Sequence, residues 1–151
     1  MNFGFSLVGL LFLIMMFVPN MLWSKYPPKN YEKYFKNENR ILLALERIGE
    51  VSVVIFALFC GVNFGFNVFL VLIFLLMVLY ELYWIRYFRS SRTMHDMYDD
   101  FLAVPVPGAT LPVASFLLLG IFAENIFLVI SSIVLGIGHI GIHLSHKNEI
   151  D

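Results

Sequence analysis

Apolar residues run along this chain in five blocks, and the polar residues are gathered in the gaps between them. The blocks predict membrane-spanning helices over about 3–23, 41–62, 68–88, 104–123 and 126–144. A helix rising about 1.5 Å per residue needs roughly 20 apolar residues to cross a hydrocarbon core of about 30 Å. The first block has no basic segment before it and no small-residue cleavage site after it, so it reads as a retained anchor and not as a signal peptide. Pro19 and Asn20 mark a kink or an exit near its end.

The gaps and irregular stretches carry their own patterns. Between Ser24 and Arg40, the residues Lys29, Lys33, Lys36 and Arg40 recur at helical spacing with Tyr31, Tyr34 and Phe35 between them. That pattern predicts a short helix lying in the interface against anionic lipid headgroups. The second block contains Glu46, Arg47 and Glu50. Its Ile, Leu, Val and Phe residues favour insertion by roughly 0.3 to 0.6 kcal/mol each, while a charge at the bilayer centre costs roughly 2.5 to 3.5 kcal/mol. The two totals nearly cancel, so these charges must lie toward one end, pair, or face protein and water. The third block is aliphatic at first and then becomes Tyr80, Glu81, Tyr83, Trp84, Arg86 and Tyr87. Its four aromatic residues form one helical stripe, expected to be an interfacial belt. In the fourth block Pro105, Pro107, Gly108 and Pro112 predict a non-helical stretch over Val104–Gly108, with a regular helix from near Ala109 to Ala123. Such a helix is about 22 Å long. The broken stretch would then lie at membrane depth against protein or a wet cavity.

Charge orients the blocks. All ten Lys and Arg residues fall after the first block, at the start of the second, at or beyond the end of the third, or after the fifth. By the positive-inside rule that side is cytoplasmic, the N-terminus is outside and the C-terminus inside. Composition agrees: 60% of residues are hydrophobic, 14% are charged and the mean hydropathy is +0.81, well outside the range of a soluble domain. The expected fold is all-α, a polytopic bundle of five transmembrane helices forming a single domain over 1–151. Lys29, Lys33, Lys36, Arg40, Arg89 and Arg92 are the expected headgroup contacts, and no nucleic-acid partner is indicated. Cys60 has no second cysteine to pair with and is expected to be packed or lipid-facing.

Candidate chemistry lies on three blocks. On the fifth, Asn125, Ser132, Gly136, His139, His143 and His146 fall near one line of the helix. His139 and His143, one turn apart, can share a proton, an anion or a metal; His146 is expected to be solvated. Counting rise from the basic boundary puts Glu50, Glu81 and His139 about 9 to 14 Å deep, and Glu46 and His143 about 3 to 8 Å deep. Ionisable groups at such depth are expensive and mark candidate sites. The binding set is thus Glu50, Glu81 and His139, flanked by Glu46, Arg47, Arg86 and His143. A divalent metal held by Glu50, Glu81, His139 and His143 would be zinc, manganese or iron. The competing reading is structural, with Arg47 paired to Glu46 or Glu50, Arg86 to Glu81, and Gly136, Gly138 and Gly141 serving close helix packing. Nucleotide-binding loops, hydrolase triads and HExxH are absent.

The segments ERIGE (46–50), YELYWIRYFRSSRT (80–93), VPGATLPV (106–113) and LGIGHIGIHLSH (135–146) together resemble a family of small five-span membrane proteins of Gram-positive bacteria with no assigned activity. The resemblance spans nearly the whole chain and implies a multi-pass location in a bacterial cytoplasmic membrane and this topology, without a mechanism. Three roles fit the residues. The first is binding of a small polar solute or cation in a cytoplasm-facing pocket, with proton-linked transport. The second is a membrane-embedded enzyme acting on a lipid or polyprenyl phosphate gripped by Arg86, Arg89 and Arg92. The third is a structural, accessory or sensor subunit. A homodimer or a partner membrane subunit is expected for transport, because five spans enclose little volume.

Overall fold

The computed structural model describes residues 4–35 and 38–150. It is all-α: α1 Leu7–Lys25, α2 Glu32–Phe35, α3 Arg40–Leu58, α4 Val68–Arg89, α5 Met94–Tyr98, α6 Pro107–Phe122 and α7 Ile126–Ile150. Five of these helices, α1, α3, α4, α5 and α7, start where a side chain supplies a cap. The Ser6 hydroxyl accepts from Gly9 N–H at 2.9 Å and donates to Val62 O at 2.7 Å. It thereby caps α1 and pins it to the far end of α3. The side chains of Asn39 and Asn67 cap α3 and α4, and Asn125 Oδ1 accepts from Leu128 N–H in the first turn of α7. A capping box closes α5, in which Thr93 Oγ1 accepts from Asp96 N–H and Asp96 accepts from Thr93 N–H. Such caps are worth about 1 kcal/mol each.

The five longer helices form a ring. The most extensive contact is α3 with α7; α7 then packs on α6, α6 on α4, and α1 closes the ring against α3 and α4. The α3–α7 contact is backbone-close. A Cβ added at Gly138 would lie 2.3 Å from Glu46 N, and one at Gly49 would lie 2.4 Å from Leu135 N. Outward faces are apolar: Ile126, Ile130, Ile133 and Ile137 form an exposed stripe on α7, and Val71, Leu72, Leu75, Leu82 and Ile85 are exposed on α4. A soluble monomer rarely exposes so much contiguous apolar surface.

Among the described residues three helices, α1, α4 and α7, are long and apolar enough to cross a membrane, fewer than the five expected. The other two fall short for different reasons. Arg40, Glu46, Arg47 and Glu50 dilute the hydropathy of α3. In α6 there are 16 residues, about 24 Å of helix, and most of them are buried by neighbouring helices.

Other expectations change as well. The interfacial helix after α1 is a single turn, α2, and Tyr31 beside it packs its ring edge-on against Trp23 and His146 instead of lying on lipid. Lys36 lies outside the described residues. The stripe Tyr80, Tyr83, Trp84 and Tyr87 is not an interfacial belt but the buried seam of α4. Each phenol finds a carbonyl there: Tyr80 donates to Met16 O, Tyr83 to Met97 O at 2.8 Å, and Tyr87 to Tyr26 O at 3.0 Å. Burial with a satisfied hydroxyl is the stable alternative to a place at the interface. Pro19 does not end α1, which continues to Lys25. Beyond it, Asn20 Nδ2 donates to Met16 O at 2.7 Å. The irregular stretch before α6 stops at Val106, so Pro107 and Gly108 are helical. Proline is preorganised for the first helical position, where its missing N–H costs nothing. Val106 adopts a left-handed conformation with φ 39°, and Thr110 Oγ1 donates to Pro105 O at 2.7 Å.

Replacing Gly138 by alanine is expected to lower stability by about 1 to 3 kcal/mol, the usual range for overpacking. The Gly65→Ala change, at a position with nothing within 4 Å of the added methyl, should be neutral. Thermal unfolding in detergent checks both, and equal melting temperatures for the two variants would contradict the backbone-close packing. Asp96 gives a pH test. Although burial raises its carboxyl, the bonds from Thr93 dominate and hold it below the usual carboxylate range. Its contribution is therefore full above the unfolded value of about 3.9 and is lost as pH falls toward the depressed folded value. The Asp96→Ala variant should be about 1 kcal/mol less stable at neutral pH and lack that acid-side loss, as followed by unfolding at graded pH.

Candidate functional site

The basic end of the ring encloses a cavity of about 300 Å³. Every long helix contributes: Asn20 and Trp23 from α1, Glu46, Arg47 and Glu50 from α3, Trp84 from α4, Gly108 from α6, and His139 and His143 from α7. Tyr31 and Glu38 from the segment between α1 and α3, with Met97 and Tyr98 from α5, complete the wall. A smaller recess of about 40 Å³ shares Asn20, Glu50, Gly108 and His139 and reaches Tyr80 and Pro112.

The core of the site follows from the α3–α7 contact. Because Gly138 lets the α3 backbone touch α7 at Glu46, the next residue, His139, meets the Glu46 side chain, and His139 Nδ1 is hydrogen-bonded to Glu46 Oε1. With the carboxylate ionised, the ring N–H donates. One turn on, the His143 ring lies 4.4 Å from that of His139, centroid to centroid. His143 is only 8% exposed, and its Nδ1 has no partner within the protein. An unsatisfied buried polar atom costs about 1 to 3 kcal/mol; Trp84 Nε1 on the same wall and Asn125 Nδ2, outside the lining, are in the same state.

A second polar chain joins the first. Tyr98 packs edge-on against His143 and His146, and its hydroxyl lies 2.9 Å from His146 Nδ1. The other nitrogen of His146 lies 3.4 Å from Glu38 Oε1, a charge contact and not an aligned bond. A carboxylate beside Nε2 favours the tautomer with its proton there, leaving Nδ1 to accept from the Tyr98 hydroxyl. Tyr31 OH also donates to Glu38 Oε1, at 3.3 Å. Burial pushes the Tyr98 phenol well above its ordinary value, and burial with the nearby Glu38 charge raises Tyr31. Both therefore remain protonated donors at neutral pH. Burial also lifts the Glu38 carboxyl, against the lowering effect of the Tyr31 bond.

Of the residues singled out in the sequence, Glu46, Arg47, Glu50, His139 and His143 line one cavity; Glu81 and Arg86 do not. Glu50 pairs with Arg47 at 3.1 Å, at the mouth. The expected Arg86–Glu81 pair does not form. Arg86 donates instead to Asp96 O at 3.0 Å and lies over the rings of Phe101 and Tyr83, which gives it both an acceptor and aromatic faces. Among the described residues no group of three or more His, Cys, Asp or Glu side chains is placed to hold a metal ion. The expected set of Glu50, Glu81, His139 and His143 is divided, since Glu50 faces Arg47, His139 Nδ1 faces Glu46, and Glu81 sits elsewhere. His146, expected to be solvated, is 1% exposed, because Tyr31, Tyr34 and Tyr98 cover it. Sequence reasoning did not reach Tyr31, Glu38, Trp84 and Tyr98 as site residues. The one available signal was that His146 shares the polar line of α7 with His139 and His143.

The two ion pairs should differ in strength. Glu46→Gln and His139→Gln are each expected to destabilise the fold, with a coupling of about 0.5 to 3 kcal/mol in a double-mutant cycle. Arg47 and Glu50, whose side chains are 68% and 40% exposed, should couple by less than about 1 kcal/mol. Unfolding measurements on the two cycles check this, and the reverse order would contradict the placement of Glu46 with His139.

Comparison of the chain with protein families, with curated proteins and with solved structures finds no match. What it does is therefore read from the geometry of this cavity.

Proposed function

We propose that this chain is a five-span protein of the bacterial cytoplasmic membrane, N-terminus outside and C-terminus inside, that binds a small polar solute in its cytoplasm-facing cavity with proton linkage. The observation that carries the reading is the wall formed by Glu46, His139 and His143. A hydrogen-bonded acid–base pair stands beside a buried imidazole nitrogen without a protein partner. These groups sit inside a bundle whose outer faces are apolar, where polar side chains are costly to keep. A solute that engages either member of the Glu46–His139 pair alters the affinity of the other for the shared proton, which is the physical basis of the linkage. Arg47, Glu50 and Glu38 are the other charged groups on the same wall.

In this reading α3 and α6 cross the membrane as interior or half-interior helices. Glu46, Arg47 and Glu50 of α3 line the cavity, while Ile48, Val51 and Ile55 are exposed on its outer side. Lys29, Lys33, Arg40 and Arg89, all exposed, meet anionic headgroups. Transport, as distinct from binding, would need a second opening, so a homodimer or a partner membrane subunit belongs to the transport form of the proposal. Of the three arginines named for the lipid-phosphate reading, Arg89 is exposed and the other two have partners in the protein. Arg86 is engaged by Asp96 O, and Arg92 lies over the Tyr26 ring at 5.1 Å.

Two measurements test the proposal. In a Cys60→Ala background, a cysteine at Asn148 should be protected from a membrane-impermeant thiol reagent in intact cells and one at Asn63 should be labelled; the opposite pattern reverses the orientation. Native mass spectrometry of gently extracted protein should detect an adduct lighter than a lipid that is lost in Glu46→Gln and in His143→Phe. Absence of such an adduct from the wild type, or its persistence in both variants, overturns the binding reading.

A further inference from the structure

Resting on the solute-binding reading, we infer that the cavity selects a small organic cation, a protonated amine held between carboxylates and aromatic rings. Three carboxylates, Glu38, Glu46 and Glu50, line it together with the rings of Tyr31, Trp84 and Tyr98. The one arginine on the wall, Arg47, is already paired with Glu50. The balance of fixed charge is therefore negative at Glu38 and neutral or negative at the Glu46–His139 pair, which attracts a cation and repels an anion. Aromatic rings beside carboxylates are the usual recognition elements for ammonium groups, because the ring face carries negative potential and can replace water around a charge too diffuse for a tight oxygen shell.

His143 supplies the independent observation. Its ring is more than nine-tenths buried, lines the cavity, and leaves Nδ1 without a protein partner. A neutral imidazole keeps one nitrogen as an acceptor, and a ring on the cavity wall adds that polar group to the carboxylates and aromatic rings around an ammonium. A metal ion fits less well, since no three ligating side chains converge among the described residues. The volume of about 300 Å³ lies at the small end of ligand sites, suited to a compact amine and too small for a lipid.

The test uses the full chain in nanodiscs and measures binding by calorimetry. The probes are butylammonium, phenethylammonium, tetramethylammonium and guanidinium, with butanol and phenethyl alcohol as neutral counterparts and butyrate and phenylacetate as anionic ones. At least one cation should bind about tenfold or more tightly than its neutral and anionic counterparts. Glu38→Gln and Glu46→Gln, which keep side-chain shape, should each reduce that preference severalfold. Trp84→Leu, checked for folding by its melting curve, should weaken the cations more than the alcohols. Neutral or anionic probes binding as tightly as the cations would overturn the cation assignment while leaving a solute-binding cavity in place. Zinc chloride alone binding more tightly than every ammonium probe would overturn it in favour of a metal. If no probe of any charge binds, the cation assignment fails, and the adduct measurement above decides separately whether the binding reading fails with it.

Discussion

The backbone contact between α3 and α7 is the constraint on which the rest of this structure depends. Glycine at 49 and 138 removes the side chains that would hold the two helices apart, and the helices then meet along the largest interface in the bundle. Small residues are the usual means of bringing helices together in lipid, where apolar burial supplies little drive and close dispersion contact must supply it instead. The same contact places Glu46 against His139. The helix-packing device and the most polar element of the site are therefore one feature: spreading the helices would both loosen the bundle and break the acid–base pair.

Around that contact the polar groups divide by how completely they are satisfied. The phenols of the α4 stripe each reach a carbonyl, and Ser6, Ser115, Ser131 and Ser132 bond backbone oxygens. Those groups hold the fold. At the cavity the accounts stay open, with His143 Nδ1 lacking a partner and Glu38 making only longer contacts with Tyr31 and His146. Satisfied polar networks rigidify a core, while unsatisfied ones are retained at a cost in stability that binding can offset. The left-handed Val106 just before α6 adds backbone strain on the order of 1 to 3 kcal/mol at the same end of the molecule.

Much of this was legible in one dimension. The apolar blocks located α4 nearly to its observed limits and α1 and α7 with ends displaced by two to six residues, because long runs of Leu, Ile, Val and Phe leave little alternative to a helix in lipid. The prolines placed an irregular segment before α6, and the line of Asn125, Ser132, His139, His143 and His146 marked the inward face of α7. Errors came where one residue type serves two environments. A Tyr/Trp stripe suits a membrane interface and a buried seam equally well, and the seam won because Met16, Met97 and Tyr26 offered carbonyls. Arg86 and Glu81 are close in sequence, yet Arg86 found Asp96 O and aromatic rings instead.

By itself the sequence determined the helical class, the apolar outer surface, the gathering of basic residues at one end and the short list of ionisable groups able to carry chemistry. These follow from composition and periodicity, which act on each segment separately. Only the tertiary structure decided which of those groups meet. It joined Glu46 to His139, left Glu81 apart, and buried His146 under residues from the segment between α1 and α3 and from α5. Such pairings depend on how far helices distant in sequence approach and rotate toward one another, and that is settled by glycine contacts and by competition for carbonyl partners across the whole ring.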